Sequence, residues 1–90
     1  MMNGEMQRRR PAVYTNMMRD YARAVDAVLR RQGELRQQLR AVRTERPADR
    51  DNRRRQQELI RRILLLREEY EELLDAMRKI RGYAAQEEAS

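Results

Sequence analysis

The sequence has no cysteine, no histidine, no tryptophan and no phenylalanine. Without cysteine there is no disulfide framework, no thiolate nucleophile and no zinc knuckle. Without histidine the chain lacks the commonest general acid–base side chain and the commonest metal ligand. Its three glycines (Gly4, Gly33, Gly82) stand apart, so no phosphate-cradling loop can be read, and its one serine is the terminal Ser90. A nucleophile–base pair cannot be assembled from this inventory. The expectation is a non-enzymatic protein with no cofactor and no metal. Long apolar runs are missing too, so no membrane contact is expected. Arg8, Arg9 and Arg10 are not followed by the apolar stretch of a secretion signal, which points to a cytoplasmic protein.

What is present is charge. Charged residues make up 40 % of the 90 positions and the net charge is +6. The cations are 20 arginines and a single Lys79. Guanidinium groups suit phosphates and carboxylates, although a GC-rich coding sequence gives the same bias. So polar a composition would suit a disordered chain, but the apolar residues are strictly ordered. Stepping from Tyr14 by alternating four and three gives Tyr14, Met18, Tyr21, Val25, Val28, Gln32, Leu35, Leu39 and Val42, apolar at eight of nine positions. The same walk from Leu59 gives Leu59, Ile63, Leu66, Tyr70, Leu73, Met77, Ile80 and Ala84, all apolar. A 3.5-residue repeat sustained this long is the mark of helices packing along a seam.

The two runs are out of phase with each other, and the stretch between them carries Pro47, which cannot continue a helix interior. Asp49 or Asp51 can cap a new helix there. In an antiparallel fold-back, a positions face d positions, and paired residue numbers share one sum. A sum of 98 pairs Leu39 with Leu59, Leu35 with Ile63 and Gln32 with Leu66, and runs on to Tyr14 with Ala84. Its centre falls at residue 49, inside the turn. The fold expected is therefore all-α: a two-helix antiparallel coiled-coil hairpin, completed as a four-helix bundle by dimerisation or by a partner. A domain-swapped dimer satisfies the same pairing.

The expected layout is a flexible basic N-terminus over 1–11, helix 1 over about 12–44, a turn over about 45–50 and helix 2 over about 51–82. Gly82 is read as a left-handed helix stop, with Tyr83 folding back on Met77 and a frayed tail over 84–90. Gly33 is read as a soft spot within helix 1, costing about 1 kcal/mol.

A lone hairpin buries each seam residue on one side only, and small cores rarely supply more than about 3–5 kcal/mol. Apolar residues also lie off the seam. Met17, Leu29, Ile60, Leu64, Leu65 and Leu74 are the candidate partner interface, Leu64 and Leu65 falling at the b and c positions that face water in an isolated hairpin. Itself, as a homodimer, or a helical protein partner is the expected occupant, and Gln32 is a register-setting or merely tolerated polar residue in the seam.

Charge is uneven along the chain: residues 30–67 carry +8 and residues 68–90 carry −4. The hairpin tip is thus basic. Arg43, Arg46, Arg50, Arg53, Arg54 and Arg55 are candidate contacts for an anion, nucleic acid included. The tyrosines lie on the seam or at the helix end, so no base-stacking platform accompanies them. The outline resembles small helical-hairpin secretion chaperones, and also secreted hairpins with Trp-x-Gly in the turn, where this chain has Arg46-Pro47-Ala48. A shared shape does not fix a function. An interaction module, adaptor or chaperone-like, is expected first, and a basic nucleic-acid accessory protein second.

Overall fold

The computed structural model describes residues 2–45 and 49–89, with side chains from Val13 onward. Two helices, α1 (Met2–Glu45) and α2 (Arg50–Ala89), pack against each other as a hairpin about 70 Å long. Among the described residues there is no strand, and no helix is long and apolar enough to cross a membrane.

Every seam position named from the 3.5-residue walk is at least half-buried, from Tyr14 to Val42 on α1 and from Leu59 to Ala84 on α2. The core cluster is Leu35, Leu39, Val42 and Leu59, with Ile63 and Leu66 packed against it. These residues belong to neighbouring pairs of the 98 sum, as a closed antiparallel seam requires. Gln32 is buried within the seam at 6 % exposure, and no buried side-chain N or O among the described residues lacks a partner.

The tip is closed by side chains. The Asp49 carboxylate accepts from the Asp51 backbone N–H at 3.1 Å, and the Asp49 carbonyl accepts from Arg53 N–H at 3.0 Å. Asp49 is therefore the N-cap of α2, and Asp51 stands in its first turn. Asn52 reaches across the hairpin: its Nδ2 donates to the Val42 carbonyl at 2.9 Å. That oxygen is one of four that a helix C-terminus leaves without an intrahelical donor. Gln56 donates to Asn52 Oδ1 at 3.4 Å, so Asn52 and Gln56, both half-buried, carry the seam one heptad beyond Leu59. The turn residues Arg46, Pro47 and Ala48 lie outside the described residues.

Asp49→Ala removes the cap and is expected to destabilise the hairpin by about 1 kcal/mol. For a chain this size, the thermal midpoint should fall by about 4–8 °C, read by circular dichroism. An unchanged midpoint would show that the cap does not hold the tip.

Both helices extend further than expected. α1 is assigned from Met2, ahead of the start expected near residue 12, and Glu5 to Arg10 are all strong helix formers. α2 continues through Gly82, which keeps an ordinary helical φ, to Ala89. The reason is local. Residues 84–89 are Ala, Gln and Glu, among the best helix formers, and Ala84 is half-buried in the seam. Tyr83 consequently stands 57 % exposed on the helix instead of folding back on Met77. Gly33 likewise sits inside an unbroken helix.

Candidate interaction faces

The seam register assigns every other residue to one of three surfaces. In an antiparallel pair the e and b positions of both helices lie on one broad side, the g and c positions on the other, and the f positions on the outer ridges. All seven exposed large apolar residues fall on the two broad faces: Leu29, Ile60 and Leu64 on the first, and Val13, Met17, Leu65 and Tyr83 on the second. The f ridges, from Asn16 to Thr44 and from Arg54 to Gly82, carry none.

The first face is basic. Arg19, Arg36, Arg40 and Arg43 from α1 and Arg50, Arg53, Arg67, Arg78 and Arg81 from α2 stand against Asp26, Glu71 and Glu88, a net +6. Amid them lie Leu29 and Leu64, 45 % and 53 % exposed, with Ile60 at 37 %. Leu74 lies on the same face but is half-buried. Gly33 is there as well, and a Cβ on it would meet nothing within 4 Å, so the hairpin itself does not require its small size.

The second face is acidic. Asp20, Glu34 and Glu45 from α1 and Asp51, Glu58, Glu69 and Glu72 from α2 stand against Arg31, Arg55, Arg62 and Lys79, a net −3. Ion pairing separates the faces further. On the acidic face Arg31 pairs with Glu34 at 3.1 Å and Arg62 with Glu58 at 2.7 Å. On the basic face Arg67 reaches Glu71 only at 3.7 Å. Arg36, Arg40, Arg43, Arg50 and Arg53 have no carboxylate within 4 Å among the described residues.

The tip repeats this division. Arg50, Arg53, Arg54 and Gln57 line a groove of about 330 Å³. Val42, Glu45, Asp49, Asp51, Asn52 and Arg55 line a separate open hollow of about 570 Å³. No described group of acids is arranged to hold a metal ion.

The six candidate interface residues therefore do not form one patch. Leu29, Ile60, Leu64 and Leu74 share the basic face, while Met17 and Leu65 belong to the acidic one. Leu64 and Leu65 are neighbours in sequence but about 100° apart around α2. The arginine set divides as well: Arg43, Arg50 and Arg53 are on the basic face, Arg54 on a ridge, Arg55 on the acidic face, and Arg46 outside the described residues. Val13 and Tyr83 are exposed apolar residues that the sequence reading passed over. Their g and c positions are the signal that could have found them, hidden at Tyr83 by the helix stop read at Gly82.

No protein-family model matches the chain, and no curated protein or solved structure matches it.

Proposed function

We propose that this chain is a non-enzymatic interaction module, a helical hairpin whose broad faces dock against other helices. One observation carries the reading: every exposed large apolar side chain lies on a broad face and none on a ridge. Singly scattered surface leucines would show no such preference. Covering a half-exposed leucine is worth about 1 kcal/mol, so several together supply a useful part of an interface.

The test is light scattering behind size exclusion at micromolar concentration. It is run at low and high salt, with and without added duplex DNA or RNA. The expected result is a folded species of at least twice the 10.9 kDa chain mass that ignores nucleic acid. A monodisperse, fully folded monomer at these concentrations would sink the reading. The unpaired arginines of the basic face support a second reading, nucleic-acid binding by phosphate neutralisation. A salt-reversible complex with the added duplex or RNA would put that reading first. Base stacking plays no part in it, because the one exposed tyrosine, Tyr83, lies on the acidic face.

A further inference from the structure

We propose that the basic face of one hairpin docks on the acidic face of a second copy, so that the chains associate through unlike faces. The proposal rests on the interaction reading above and names its occupant.

Three observations lead to it. First, apolar residues are exposed on both broad faces. A symmetric dimer uses the same patch twice, so it would cover Leu29, Ile60 and Leu64 or else Met17 and Leu65, and leave the other set in water. Contact between unlike faces covers both. Second, the symmetric contact through the basic face sets +6 against +6, whereas the unlike contact sets +6 against −3. Third, the unpaired groups are complementary. Arg36, Arg40 and Arg43 have no carboxylate within 4 Å among the described residues, and neither Glu69 nor Glu72 has a described cation within that distance.

The dimensions suffice. The hairpin measures 70 by 18 Å across its broad side. Overlap along two-thirds of that length covers about 800 Å² on each partner, the size of a standard stable interface. Gly33, on the basic face with open space before it, lets a neighbouring helix approach closely there. A contact between unlike faces leaves one of each kind free at the ends, so growth continues with concentration.

The test uses two charge-reversed full-length chains. Arg36→Glu with Arg40→Glu spoils the basic face, and Glu69→Arg with Glu72→Arg spoils the acidic face. All four positions are exposed, so both variants should keep the helical content of the parent by circular dichroism. Each alone is expected to associate roughly 100-fold more weakly than the parent, because like charges now meet. Mixed in equal amounts they should form a complex of two chains and stop, since each supplies the one sound face the other lacks. If the parent associates but the mixture does not pair, association runs through like faces; this proposal falls and the interaction reading stands. A parent that stays a folded monomer overturns both.

Discussion

Leu35→Ala is expected to bring the hairpin close to unfolding at ambient temperature. Leu35 is the most deeply buried side chain described, 1 % exposed, and it sits where Leu39, Val42 and Leu59 converge with Ile63 and Leu66 packed against them. Truncating a buried leucine costs about 2–5 kcal/mol, through lost transfer energy and the cavity left behind. A single small core supplies about 3–5 kcal/mol in all, so the loss is comparable with the whole margin. The thermal midpoint should fall by more than about 10 °C. A fall of less than about 5 °C would mean that Leu35 is not at the centre of the core, and the antiparallel register would have to be redrawn. The same melt repeated at rising chain concentration is informative. Where association stabilises the hairpin, the midpoint climbs with concentration by mass action.

Leu35 was accessible from sequence because a helical seam writes its period directly into the chain. An apolar residue at alternating steps of four and three must face the partner helix, and no other regular element keeps that spacing. The fold-back was accessible for a related reason: Pro47 breaks the helix, and one sum pairs both runs. The ends were less accessible. Gly82 can stop a helix or be carried through one, and the seam contact of Ala84 together with the helix-forming tail decides for continuation. Asp49 and Asp51 were equivalent as caps until the backbone placed the first turn. The faces were hidden for a different reason. Linear closeness made Ile60, Leu64 and Leu65 look like one cluster, and a count along the chain made the tip look uniformly basic. Only the angular position of each residue, taken on both helices together, separates Arg36, Arg40 and Arg43 from Glu58, Glu69 and Glu72. Asn52 was missed because its role is to bond the Val42 carbonyl of the other helix, a contact that exists only after folding.

Ile60→Ala with Leu64→Ala is expected to abolish association while leaving the hairpin folded. Both residues are exposed on the basic face, one helical turn apart, and alanine is the better helix former at each position. The fold therefore loses little. An interface centred on them loses about 2–4 kcal/mol, a factor of roughly 30 to 1000 in the dissociation constant. The substitution changes no charge, so nucleic-acid retention, if it occurs, should not move. That separates apolar docking from phosphate binding in one variant. Met17→Ala with Leu65→Ala makes the matching change on the acidic face, where the two residues are 39 % and 58 % exposed. Contact between unlike faces uses both surfaces in every junction, so either pair of substitutions should weaken assembly. A symmetric dimer through the basic face would respond to the first pair and ignore the second. A chain whose association survives both pairs does not dock through its broad faces at all, and the exposed leucines would then be ordinary surface residues.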